Sequence, residues 1–464
     1  MRVAPAALLL ALAPVAAQAH AFGQRYDLPL PLGFYLGGAG LAVALSFLGS
    51  FAFMGGGGAW PSVRIPVPAW LVRAAVRAAR ALAIALLGMV MVTALLGPQN
   101  PTQNFATVFV WVIWWVGFVL FSALAVDLWS GANPFATFAD VALRGHARSR
   151  PAPRWAPWLS VLGLIALSWT ETVSEMSEDP RALAALIALY AAMLLIGAAW
   201  IGRETWFAAA DPLTRLFSLL GALAPVALKG GAIEVRAPGA GLVGRPSGVA
   251  GAVFVVTLIA IVLFDGLSET PFWTAILDWI TQSRGLRPWL LDLRDAGVDL
   301  LKLIRTLGLL STIMVAIALY ALLSLAIWAA GGREGTVRAI FTSFAPALLP
   351  IAVAYHLAHY VFYLALAGQL IVPATLDPFG LGWDVAGRGG TMLNAGVMTA
   401  QDVWWVAAAA LVLGHAVSVL VAHAQALRLS STRRRAVQGQ APMMAFMVTL
   451  TSLSLWILAQ PVVQ

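Results

Sequence analysis

The chain contains no cysteine, and only 10% of its 464 residues are charged. Lack of cysteine excludes disulfides, thiolate metal ligands, a cysteine nucleophile and iron–sulfur ligation, so any bound metal must be held by imidazole, carboxylate, thioether or backbone oxygen. Soluble globular chains carry roughly a quarter charged residues. With 61% hydrophobic residues, this composition is that of a polytopic membrane protein. Also missing are a phosphate-binding glycine loop with its lysine, a nucleophile elbow and a dinucleotide fingerprint. The run Gly55 to Gly58 has no Lys-Ser/Thr after it, which argues against ATP-driven work. No internal repeat is evident, so an inverted-repeat transporter gains no support.

What the chain does have is long apolar runs. The start reads as a signal peptide over residues 1–19, with Arg2, an apolar stretch and the small-residue site Ala17-Gln18-Ala19; a competing site is Ala19-His20-Ala21. Cleavage at the first makes His20 the mature first residue, and cleavage at the second removes it. Apolar windows then fall near 33–54, 79–96, 105–126, 155–173, 182–201, 249–265, 303–329, 337–372, 403–424 and 443–458. Ten spans in a single integral membrane domain, residues 20–464, follow from this count: an all-α transmembrane helix bundle.

The formal charge of +8 is dispersed over several loops, which excludes a nucleic-acid patch and reports topology instead. Lys and Arg concentrate on alternate loops, Arg433 to Arg435 among them, and the acids favour the opposite side. The positive-inside rule places this pattern in a bacterial inner membrane with the mature N-terminus outside. Residues 203–248 read as a flexible inner loop containing a surface-lying or re-entrant helix over Leu213 to Leu228. The Trp-containing stretch 266–302 reads as an outer interfacial loop.

Four of six histidines lie inside apolar segments, where an ionisable group is costly and tends to mark a task. His356 and His359 are three apart, hence on one helix face, about 4.5 Å apart along the axis. Two imidazoles so spaced can share a metal or form hydrogen-bonded packing within the bundle. Pro346 and Pro350 precede them and predict a bend that frees carbonyls. Tyr355, Tyr360 and Tyr363 add hydroxyls as partners or proton donors. His415, at a matching distance from the outer end of the next span, would complete a three-histidine set. His423 lies nearer the inner surface, where capping or snorkelling is expected, and His146 in an Arg-rich loop is solvated. Two carboxylate pairs at four-residue spacing, Glu171 with Glu175 and Asp265 with Glu269, sit at outer helix ends. They suit hard-metal binding, general-base work or simple hydration. The Trp111 to Trp115 cluster reads as packing or an aromatic belt.

From these residues a divalent transition metal (Zn, Cu, Mn or Fe) is expected on His356, His359 and His415, with Asp265, Glu175 or Glu171 as base. A mature His20 would add a copper-chelating amine and imidazole. The stretches starting at His20, Phe264-Asp265-Gly266-Leu-Ser268-Glu-Thr270-Pro271, Pro350 to Tyr360 and Asp377-Pro-Phe-Gly380-Leu-Gly-Trp383-Asp384 resemble bacterial polytopic membrane proteins identified as fenitrothion hydrolases. The resemblance runs over most of the chain. It implies hydrolysis of an apolar aryl phosphotriester by a membrane-bound, multi-subunit system, although the paired-metal motifs of soluble phosphotriesterases are absent. Two other functions fit the residues: a metal-handling membrane protein or membrane subunit of a metal-dependent complex, and a proton-coupled transporter whose histidines and acids relay protons.

Overall fold

The computed structural model describes residues 31–53, 60–144, 150–229, 231–245, 247–383 and 393–460. The signal region, His20, His146 and Asp384 lie outside these. The architecture is an all-α polytopic bundle with one small sheet. Among the described residues, nine helices are long and apolar enough to cross a membrane. They include α1 (Leu32–Phe53), α2 (Ala69–Leu96) and α3 (Phe105–Leu124).

The expected fourth span is α4 (Ala156–Thr172), whose 17 residues reach about 26 Å at ~1.5 Å per residue. That falls just short of a hydrocarbon core of about 30 Å. It nevertheless runs from end to end of the bundle, because its neighbours fix both of its ends. The Arg150 N–H donates to the carbonyl of Ile201, the last residue of α5 (Pro180–Ile201), while Ser177 before α5 accepts from the Trp111 indole. The chain between Arg150 and Ser177 therefore runs alongside α5; among the described residues nine helices reach spanning length where the sequence reading expects ten, and α4 is the one that falls short.

The segment expected to be a flexible loop is folded. Its helix α6 (Pro212–Leu223) buries Leu213, Leu216, Phe217, Leu219, Leu220 and Leu223, which corrects the surface-lying alternative. Asp211 caps it by accepting from Leu213 N–H and the Thr214 hydroxyl. At its other end Arg236 and Arg245 donate to the carbonyls of Gly221 and Ser218, where a helix has unpaired acceptors and partial negative charge. Strand β1 (Ser62–Pro66) pairs antiparallel with β3 (Ala232–Arg236), which pairs with β2 (Val226–Lys229), giving the order β1-β3-β2. This sheet ties the loop between α1 and α2 to the loop after α6. It marks one end of the bundle.

Helix α7 (Val249–Ser268) is apolar on every side, and each residue from Ala250 to Ile261 is buried, as expected of a central helix. Around it stand α4, α10 (Leu300–Ala330) and α11 (Leu349–Ala367). Between α7 and α10 lie two short helices, α8 (Pro271–Gln282) and α9 (Arg287–Asp295), with Trp279 and Trp289 exposed. The bundle closes with α12 (Ala400–Leu429) and α13 (Arg433–Leu458), against which α1 packs.

Candidate functional site

The site is built where α3, α4, α7 and α11 converge at the end opposite the sheet. On α11, His356, His359, Tyr360 and Tyr363 follow the spacing of one helical face. The opposite stripe packs on α12: a Cβ at Gly414 would meet the Ala354 methyl and the Pro350 carbonyl. Glycine there lets the two helices approach, and this close seam turns the histidine stripe away from α12 toward α3 and α7. The expected proline break occurs as a turn of 3-10 helix over Ala345–Leu348. The carbonyl of Ala347 accepts from the Ser418 hydroxyl of α12, so it serves the helix seam.

Asp265, near the end of α7, is buried and central. Its Oδ2 accepts from the Tyr360 hydroxyl at 2.5 Å and lies 3.0 Å from His359 Nε2. Tyr360 also reaches Glu171 Oε1 of α4 at 3.3 Å, and the same oxygen accepts from the Trp115 indole at 2.7 Å. Two carboxylates are thus bridged by one phenol. Trp115 is delivered by a π-helical stretch, Val108–Phe118, inside α3. Wider turns of this kind recur at functional sites, and here Trp111 donates to Ser177 in the α4–α5 connection while Trp115 donates to Glu171 in the last turn of α4. The backbone of Trp115 also partners the His356 ring, whose Nε2 has no hydrogen-bond partner. Tyr355 stacks on His359 with ring centroids 6.3 Å apart, and its hydroxyl lies against Gly266.

The two four-residue carboxylate pairs divide. Helix α4 ends at Thr172, and Ser174 caps a short 3-10 turn starting at Glu175. Glu171 therefore faces the cluster while Glu175 is exposed. Glu175 lines a shallow surface recess with Glu178, Asp179 and Arg181. Partial burial, and then the neighbouring Glu175 charge, hold the Glu178 carboxyl above its ordinary range. Likewise α7 ends at Ser268, leaving Glu269 as its C-terminal cap residue.

His415 stands apart from His356 and His359. Through Ser418 and Gly414, its helix is registered on Ala347, Pro350 and Ala354, placing His415 about 5–10 Å nearer the sheet than His356 at ~1.5 Å per residue. Its Nδ1 donates to the Leu411 carbonyl, and it is fully buried. His423 is also fully buried, its Nδ1 against Gln440 Oε1, so the expectation of capping or snorkelling is corrected. Among the described residues no group of three His, Asp or Glu side chains is arranged to hold a metal. Of the expected ligands, the structure brings His356 and His359 together with Asp265 and Glu171.

Sequence reading missed Trp115, which belongs to a cluster that reads as packing, and it cast Tyr360 only as an accessory hydroxyl. The available signal was position: Tyr360 lies four residues after His356, on the same face. No protein-family model, curated protein or solved structure matches the chain.

Proposed function

We propose that this protein is a membrane-embedded hydrolase of apolar aryl phosphotriesters, working through an acid–base centre of Asp265, His359 and Tyr360. The carrying observation is the Asp265 carboxylate, buried near the end of a transmembrane helix, with an imidazole and a phenol on one oxygen. A carboxylate in that setting is expensive unless paired, and it is a default functional marker. The substrate class comes from the resemblance described for the sequence.

In the reaction, water attacks phosphorus and the bond to the aryl oxygen breaks. The His359–Asp265 pair accepts the water proton, Asp265 orienting the imidazole and stabilising its charged form. Tyr360, between Asp265 and Glu171, donates toward the phosphoryl or departing phenolate oxygen and recovers its proton from the cluster. The expected metal is not needed for these steps. The donors described do not converge on one point, so no step is routed through it; a further subunit or the mature N-terminus would have to complete such a set.

Nitrophenol release from an aryl phosphotriester, measured on detergent-purified protein, tests the reading. Asp265→Asn lowers turnover by about 10²–10⁴-fold, the usual contribution of a positioned acid or base. Equal turnover in Asp265→Asn and wild type removes the assignment. A second reading, proton-coupled transport, is favoured by the continuous bridge from Asp265 through Tyr360 to Glu171.

A further inference from the structure

At the sheet end, α10, α12 and α13 meet around a narrow crevice. Its walls are apolar, with Ile327, Ile340, Phe344 and Leu429, and its rim carries Trp328, Glu334 and Ser430. The outward stripe of α10 is exposed through Leu319, Leu322 and Leu325, and three residues later it ends at the half-buried Trp328. An apolar stripe that gives way to tryptophan and then arginine marks the level where acyl chains give way to headgroups. Two segments border the crevice here. Arg333 and Arg338 follow α10, and Arg428 and Arg433 to Arg435 lie at the turn between α12 and α13. Against them the sequence sets a single acid, Glu334, since no other Asp or Glu occurs between Leu300 and Leu376 or between Val403 and Gln464.

Glu334 is already taken, by the N–H and hydroxyl of Ser431 and by Arg435. Arg433 donates to the Phe51 carbonyl at the end of α1. Arg435 also lies along Gly332, where a Cβ would come within 3.2 Å of its Nε. The next residue, Arg333, is exposed, and its guanidinium stands over the Trp328 indole, 5.8 Å from the ring centroid. Its backbone has φ 60°, which makes it the one non-glycine residue at positive φ among the described residues. Gly332 and Gly335 supply the other left-handed positions of this turn, at φ 81° and 65°. A left-handed backbone strains any residue that carries a Cβ, and glycine adopts it freely. A cation–π contact at an exposed site is weak and does not offset that strain. Arginine held against the preference of its own backbone points to a use for its guanidinium.

We infer that this rim binds one anionic phospholipid. The lipid phosphate would pair with Arg333, beside Arg435 and Ser430, while an acyl chain follows the Leu325, Leu322 and Leu319 stripe of α10. Guanidinium suits a phosphate because its donors form a fork that matches two oxygens. Selection of an anionic over a zwitterionic head follows from the surplus of arginines, which repels a choline ammonium. The ligand comes from the bilayer, because Arg333 stands where the exposed apolar stripe stops. The site lies at the end of the bundle opposite Asp265 and is independent of the hydrolytic reading.

The full chain is placed in nanodiscs of phosphatidylcholine, alone or mixed in equal parts with phosphatidylglycerol, and the lipids retained after mild detergent stripping are counted by native mass spectrometry. Wild type should retain one phosphatidylglycerol over phosphatidylcholine by about tenfold, equivalent to roughly 1.4 kcal/mol. Arg333→Gln should return the ratio to that of the disc. Arg154→Gln, which removes another exposed arginine at the sheet end, should leave the preference intact. Arg333→Gly relieves the backbone, so it should melt higher than wild type in pure phosphatidylcholine and still lose the preference, which separates lipid binding from folding. Phosphatidylglycerol should raise the melting temperature of wild type, and inorganic phosphate added to phosphatidylcholine discs should not. Equal retention of the two lipids by wild type, or equal losses in Arg154→Gln and Arg333→Gln, would overturn the site. So would an Arg333→Gly protein that keeps the preference or melts lower than wild type. Stabilisation by inorganic phosphate equal to that by phosphatidylglycerol would reassign the rim to a soluble anion and end the lipid assignment.

Discussion

Asp211 and Asp265 are both buried carboxylates, and they are satisfied in opposite ways. Asp211 takes Leu213 N–H and the Thr214 hydroxyl, two and three residues along, and adds the Tyr190 hydroxyl. Asp265 meets Tyr360, 95 residues later, and His359 beside it. The first arrangement is a helix cap that local folding creates as α6 forms. The second exists only once the bundle has closed. Both acids accept from a phenol, but only Asp265 also faces an imidazole, so a proton can change owner between Asp265 and His359, whereas the backbone N–H and hydroxyls at Asp211 include no base to receive one. Burial alone does not mark chemistry; the identity and origin of the partners do.

The sharpest way to break this comparison is to neutralise both acids. Asp265→Asn should abolish turnover by about 10²–10⁴-fold, while Asp211→Asn should retain turnover per folded molecule; equal losses in both would erase the distinction. Next, Asp211→Ala removes a cap and strands Tyr190, costing about 1–3 kcal/mol, read as a lower melting temperature in detergent. Gly414→Ala should cost a similar ~1–3 kcal/mol through overpacking of the α11–α12 seam. It should also reduce turnover by displacing the histidine stripe, which Gly197→Ala, clashing with Trp206, should do only through instability.

Trp115→Phe removes one charge-assisted hydrogen bond, of about 1.5–3 kcal/mol, and should weaken turnover less than Tyr360→Phe. The smallest effect concerns Glu334. Hydrogen bonds from Ser431, assisted by Arg435, hold its carboxyl down at about 2. Its tie between the α10 turn and the α12–α13 turn is therefore complete above the ordinary carboxylate range. It is lost only as pH falls toward about 2. Hydrogen exchange at Ser431 should stay slow at pH 4 and rise below pH 3, earlier in Arg435→Gln.

The sequence made the bundle legible because its apolar runs are long and its charges few, so hydropathy alone locates the helices. Nine of the ten expected spans are helices of spanning length among the described residues, and α4 is the shorter exception. The sheet was hidden, since β1 and β3 are five-residue strands whose pairing links distant loops. Buried α6 was obscured by Arg215 and Pro225, which argued for a surface position. Around Asp265, helical spacing put His356 and His359 on one helix face. It could not bring Asp265 to them, because that meeting depends on how α7 packs on α11. Four-residue spacing misled at Glu175, because the helix stops between the two acids.

The packing of α1 on α12 and α13 carries a consequence for biogenesis. The first of the described spans finds these neighbours only when the last two have been made. Between Phe53 and Ala400, translation at about 5–20 residues per second takes on the order of 20–70 seconds, during which α1 has lipid or an insertion factor for company. Completion of the fold is thus a late docking event, and a chain truncated before α12 would leave its first helix an orphan for quality control to recognise.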